Sequence, residues 1–378
     1  GADVVLTQSD PAGRGRVWPQ TLHLRLGRSH GDTLITVELG PEPARIRGVV
    51  DDGLQYVLPN GSGVEYGLFL LDDASLAHLA DHLPELESGL ARGSAWVTLW
   101  DQVLEQRVPP EPFLDLALAA LPLESDELIL SRVLGYTSAA FWGLLHPDAR
   151  EARADALEAV LWEEVVGDRP ATARSAFFST WRAVATTPDA VARMRRLWAG
   201  DEELPGLPLS ENDQTALASG LALRGVEGWS GLLDAQEERI ANPDRRARFQ
   251  FVRPSLDPDP EVRTAFFQSL ADPANRAREP WVLAGLGNLH HPLRSDTSLP
   301  FIRPALEMIE EIQRTGDIFF PGRWLNVTLG GHGQVEAAEA VHAFLDERPD
   351  LPPRLRAKVL QSADGVWRAA SILHGWER

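Results

Sequence analysis

Apolar and polar residues follow two different periods along this chain. Through residue 71 the apolar positions alternate with polar ones: Leu22, Leu24 and Leu26 in "TLHLRLG", then Ile35, Val37 and Leu39 in "LITVELG". Period two places one side chain in every pair on the same face, the pattern of a half-buried strand. Between these runs "RSHGD" carries Gly31 and Asp32, suited to close a hairpin loop. Further strands are predicted at "LQYVL" (54–58) and "EYGLFLL" (65–71), separated by the turn-forming "PNGSG". Residues 1–71 are therefore expected to form a small antiparallel sheet or sandwich.

Beyond Leu71 the period becomes helical. Leu157, Val160, Leu161 and Val165 form one stripe, as do Phe177, Trp181 and Val184, and Val191, Met194 and Trp198. Ser210, Asp259 and Asp272 stand as capping residues before helix formers, the last two followed by proline. Helical segments joined by short breaks continue to residue 376. That organisation favours helix pairs stacked as a solenoid over 72–378 rather than one globular bundle, with any repeats degenerate because no strict period is visible. The tryptophans on these helices, from Trp96 and Trp100 through Trp281 to Trp367, are read as packing between neighbouring helices.

Composition narrows the chemistry. The 378 residues have 44% hydrophobic and 24% charged content, as in a soluble globular protein, with no apolar run long enough for a membrane span. A net charge of -19 argues against a broad nucleic-acid surface. Cysteine is absent, which removes disulfides and thiolate chemistry and fits a reducing, cytoplasmic setting. Lys358 is the single lysine, and no glycine-rich phosphate loop precedes it. The arginine excess is read as a GC-rich genome. The start at Gly1, without methionine or a signal-peptide pattern, is read as a cut within a longer protein.

Few residues offer catalytic chemistry. In "HLADH", His78 and His82 are one helical turn apart, and Asp101 follows after eighteen intervening residues. Histidines at i and i+4 share a helix face and could hold zinc, but Leu79 occupies the place of the glutamate that would deprotonate a zinc-bound water. The pair is read as chance and no metal site is expected in the chain. His290 and His291 are adjacent and so diverge on a helix, while His332 and His342 have no partner spacing. "GWSG" (228–231) lacks the last glycine of a nucleophile elbow. Glu163–Glu164 and Glu237–Glu238 are read as solvated helix faces. The segment "TGDIFFPGRWLNVTLGGHG" (315–333) is expected to interrupt the helices as a loop, with Arg323 and Trp324 as candidates to face an enclosed cavity. Arg323 could there meet a carboxylate, or simply pair locally.

"LTQSDPAGRGRVWPQTLHLRL" and "YVLPNGSGVEYGLFLLD" resemble the β-sandwich of the aminopeptidase N family of zinc peptidases and its exit into the helical domain. "SAWVTLWDQV", "GLGNLHHPLRS", "EEIQRTGDIFFPGRW" and "LRAKVLQSAD" resemble that family's C-terminal helical domain, in the same order. The family's G-x-M-E-N loop and H-E-x-x-H zinc helix are missing: the two methionines are Met194 and Met308, and neither precedes Glu-Asn. The resemblance implies a non-catalytic C-terminal portion of a zinc aminopeptidase, with the zinc and the catalytic residues in a domain outside this chain. It further implies a small antiparallel β-sandwich over 1–71 and an α-α superhelix of degenerate HEAT-like repeats over 72–378, which caps the active-site cavity and shapes peptide access, with that catalytic domain as its partner. By the same resemblance the His78 segment corresponds to the first helix of the C-terminal domain, not to the zinc helix. A stand-alone HEAT-type scaffold binding protein segments on its concave face is the alternative.

Overall fold

The computed structural model describes residues 2–50 and 53–377. It begins with five strands: β1 (Ala2–Leu6), β2 (Gln20–Arg28), β3 (Thr33–Leu39), β4 (Ala44–Val50) and β5 (Leu54–Leu58). They form two antiparallel sheets, β1–β4 and β3–β2–β5. In the register of β2 with β3, Leu22 stands opposite Val37 and Leu24 opposite Ile35. These side chains point the same way because the pleat repeats every two residues. They build one apolar cluster from Leu22, Leu24, Leu26, Leu39 and Val57, against which Val4 and Leu6 of β1 and Ile46 of β4 pack. The two sheets thus face each other across a shared core, as the alternating pattern implied.

Turn chemistry falls where expected. The β2–β3 loop closes with Gly31 N–H donating to Arg28 O at 3.0 Å, and Gly31 has φ 121°, open to glycine without steric cost. In "PNGSG", Gly61 N–H donates back to His23 O at 2.9 Å and Gly63 N–H to Asn60 O at 3.0 Å.

Two features of this region differ from the expectation. β1 and β4 were not legible as strands. Conversely, 65–71 joins no sheet and bends at Gly67. Its alternation is real and inverted: Glu65 turns inward to accept from His23 N–H at 3.0 Å and Ser62 Oγ–H at 2.6 Å, and Phe69 packs on the sheet core. The other face presents Val64, Tyr66, Leu68 and Leu70 to solvent, 79%, 93%, 52% and 54% exposed.

The remainder is helical, from Asp73–His82 to Pro353–His374. The first helix is capped by Asp72, whose carboxylate accepts from Ser75 N–H at 2.9 Å, while Ser75 Oγ in turn accepts from Val57 N–H of β5 at 2.8 Å. Thr98 Oγ1 donates to Asn60 Oδ1 at 3.1 Å, and Gln102 Nε2 to Phe69 O at 2.8 Å. Strands and first helices therefore belong to one compact unit, which ends at Thr137; a second unit begins at Ser138. The change of hydrophobic period at residue 71 is a change of secondary structure, and the division between compact units comes later.

Within the second unit the sequence caps act as read. Ser210 and Asp213 form a reciprocal capping box on Glu211–Leu223, and Asp259 accepts from Glu261 N–H at the start of Pro260–Ser269. Asp272 heads a short 3-10 turn, Pro273–Arg276, in place of a full helix. Leu157, Leu161, Val165, Phe177, Trp181 and Met194 are buried, and a large core joins Phe266 through Ala370. The expected loop at 315–333 is largely a helix, Phe320–Leu329. Pro321 occupies its first turn, where a missing N–H costs nothing, and Phe320, Trp324, Leu325, Thr328 and Leu329 form its buried face. No helix is long and apolar enough to cross a membrane among the described residues.

Candidate functional site

His78 and His82 lie where the helical spacing puts them. Their ring centroids are 4.7 Å apart, and His78 stacks on Tyr56 at 5.4 Å and 13°. His82 is engaged by Glu85 at 3.2 Å. Burial, then the charge of His82, lowers the pKa of His78. Among the described residues, no three His, Asp or Glu side chains converge as a metal ion requires.

Arg323 and Trp324 diverge. Arg323 is exposed, its guanidinium 5.8 Å from the Phe319 ring, beside the exposed Ile318 and Phe319. Trp324 is fully buried and donates its indole N–H to Ala305 O at 3.1 Å. Trp324 faces the core of its unit and not a cavity; only Arg323 has the exposure its candidate role requires.

The structure assembles one group that spacing did not reveal. His290, at the end of helix Glu279–Leu289, and His332, just before helix Val335–Glu347, are 42 residues apart, and their ring nitrogens meet at 2.8 Å. Both are buried. Gln334 fixes the proton positions. Its Nε2 donates to Asp296 at 3.1 Å, so its Oε1 turns to His332 Nδ1 at 3.3 Å. That oxygen only accepts, so His332 carries its proton on Nδ1, and its bare Nε2 accepts from His290 Nδ1–H. His290 Nε2 is left buried and without a partner. Desolvation by burial, with the neighbouring imidazole, holds His290 well below the usual histidine range. Burial likewise brings His332 down to about 4. The chain His290–His332–Gln334–Asp296 thus runs from two uncharged imidazoles through an amide to a carboxylate oxygen, and it ties three segments together. Close backbone approach completes it: a Cβ on Gly331 would stand 1.7 Å from His290 O. Both rings are closed off from solvent, so the pair is a packing device and not a catalytic acid–base couple.

One member of each carboxylate pair has a local partner, and Glu163 and Glu238 are exposed. Glu164 engages Arg169, and Glu237 accepts from Gln250 at 2.7 Å and Arg253 at 3.2 Å.

Two small antiparallel sheets followed by packed helices define the class, a mainly α protein with a small β region at its start. The family model of the ERAP1-like C-terminal domain matches residues 56–368, well over half of the chain. The chain belongs to that family. It is also similar to an aminopeptidase N of Streptomyces lividans, with 25% identity over 193 residues, 50% of this chain and 22% of that protein. The chain thus matches about a fifth of the length of that curated relative.

Proposed function

We propose that this chain is the non-catalytic C-terminal region of an aminopeptidase that removes N-terminal residues from peptides. In this reading the zinc and the residues that activate water lie in a separate catalytic domain of the same protein, which is the partner of the chain described here. The helices from Asp73 onward form HEAT-like pairs that cap the active-site cavity and limit the peptides that enter. A cytoplasmic location is part of the same proposal. The observation that carries the reading is the family match over residues 56–368, joined by the likeness to an aminopeptidase N.

Within it, Arg323 with Ile318 and Phe319 is the candidate for a cavity wall, since a guanidinium beside exposed aromatic surface suits a peptide carboxylate. The test begins with the reading frame upstream of residue 1. The protein it encodes should bind zinc and cleave an aminoacyl p-nitroanilide, and the 378-residue chain alone should do neither. Stoichiometric zinc and hydrolysis by the isolated chain would refute the proposal; a reading frame that starts at residue 1 would favour a stand-alone scaffold. In the whole enzyme, Arg323→Ala should raise the KM for peptides, and an unchanged KM removes Arg323 from the cavity wall.

A further inference from the structure

Although the protein carries a net charge of -19, the unit beginning at Ser138 gathers positive charge around a half-buried indole. Trp142, near the end of helix Glu127–Gly143, has the Arg150 guanidinium 5.2 Å from its ring centroid and the His291 ring edge-on at 5.2 Å. Its Nε1–H donates to Ala183 O at 3.3 Å. Arg224 reaches the same carbonyl, at 3.3 Å, and also donates to Arg182 O at 3.2 Å, Ala185 O at 2.5 Å and Gly220 O at 2.8 Å. One carbonyl therefore holds Trp142 and Arg224 together, with Arg182 beside them.

The charge balance is incomplete. Arg182 has Asp213 at 3.4 Å. Arg224 feels the charge of Glu158, whose carboxylate accepts from the N–H groups of Thr186 and Thr187 at 2.5 and 3.0 Å. Arg294 is held by Ser255 O and Leu256 O, at 2.7 Å each, with Asp257 bearing on it. Arg150 makes no ion pair among the described residues. Its contacts are the Trp142 ring and, at 3.4 Å, the Trp142 carbonyl. A half-buried guanidinium without a counter-charge is costly to keep unless an anion completes it. Beside it His291 Nδ1 accepts from Leu293 N–H at 3.2 Å, which places the ring proton on Nε2. Burial, then the charges of Arg224, Arg294 and Arg150, brings this imidazole down to about 4, so near neutral pH it is an uncharged N–H donor.

We infer that Arg150, His291 and Trp142, backed by Arg182 and Arg224, form a binding site for a carboxylate-bearing ligand. The Arg150 fork takes the two carboxylate oxygens, His291 Nε2–H supplies a second donor, and the indole provides an apolar plate beside the carbon chain that carries the acid. This assignment goes beyond the aminopeptidase reading and does not need it, because binding is measured on the chain itself.

The test titrates the chain with acetyl-Ala-Ala-Ala bearing a free C-terminal acid, its C-terminal amide, acetyl-Ala-Glu-Ala amide, and succinate. Binding is followed by the fluorescence that Trp142→Phe removes and by the NMR titration of His291. At least one of the acids should bind while the trialanine amide does not. A bound carboxylate stabilises imidazolium, so the His291 pKa should climb on saturation. Preference for the first peptide assigns the site to a chain end, for the second to an acidic side chain, and for succinate to a free small acid. Arg150→Gln should weaken binding at least tenfold, and Arg150→Lys, which keeps the charge and loses the fork, should fall between it and the parent, with circular dichroism and melting confirming that both variants fold. Equal response to acid and amide, undiminished binding by folded Arg150→Gln, or the same shifts from sodium chloride at matched ionic strength would each overturn the assignment.

Discussion

The buried His290–His332 pair makes the second unit acid-sensitive in a window set by histidine and not by carboxylates. In the unfolded chain both imidazoles titrate at about 6.5. In the folded protein His332 is brought down to about 4 and His290 is pushed down as well, mainly by burial. Folded pKa values below the unfolded ones mean that the unfolded state binds more protons, so stability rises with pH through this window and is lost as pH falls from about 6.5 toward 4. Between pH 7.5 and pH 5 a histidine brought down to about 4, as His332 is, should cost about 2 kcal/mol, a large share of the stability of a typical domain, and His290 adds to the loss in the same direction. The structural reason is explicit: a proton added to His290 goes to Nε2, which is buried with no acceptor. Hydrogen exchange at the amides of Val335–Glu347, which follows His332, should read the loss as falling protection from pH 7.5 to pH 5, after correction for intrinsic exchange. Urea unfolding at pH 5 should take up close to three protons through buried histidines, two of them through His290 and His332 and one through His291. The variant His290→Gln with His332→Gln should remove the pair's share of that pH dependence, whatever its stability at pH 7.5, and leave the share of His291, which is also brought down to about 4. An unchanged pH slope in the double variant would refute the reasoning.

Three further outcomes follow from contacts already described. Gly331→Ala forces a methyl group against the His290 carbonyl and should cost about 1–3 kcal/mol or more, read as a lowered unfolding midpoint; a neutral result would mean that the His290 strand of backbone yields easily. Trp324→Ala empties a fully buried site and should cost about 3–5 kcal/mol, whereas Arg323→Ala in the next position should stay within about 0.5 kcal/mol, both by urea denaturation. Calorimetric titration of the chain with zinc should give no stoichiometric binding, and His78→Ala with His82→Ala should leave the trace unchanged; a one-to-one isotherm abolished by that double change would restore the two histidines as ligands.

Much of the fold was legible because each element carries its own punctuation. The alternation in β2 and β3, the glycine loop between them, and the caps at Ser210 and Asp259 are local signals, and local physics decides them. Misreadings came where partners decide. β4, "ARIRGVV", mixes arginines with its apolar positions and becomes a strand through pairing with β1. Residues 65–71 have a strand's alternation without a partner to complete a ladder. The 315–333 segment was obscured by its glycines and Pro321, although Phe320, Trp324 and Leu325 with Thr328 and Leu329 repeat at helical spacing. The site residues were less accessible still. His290 and His332 meet across 42 residues, and Arg150, His291 and Trp142 come from three separate segments, so no window of sequence contains either group.

The inverted ribbon at 64–70 has a practical consequence. Its outward row of Val64, Tyr66, Leu68 and Leu70 is greasy, and Glu65, the acid among them, is turned away and occupied by His23 and Ser62. A row of exposed apolar side chains with no outward charge is a surface on which a second copy of the same row can lie down. Stocks of the chain should therefore cluster as they are concentrated, and a lysine in place of Tyr66 or Leu68 is the first change to try for keeping them dispersed.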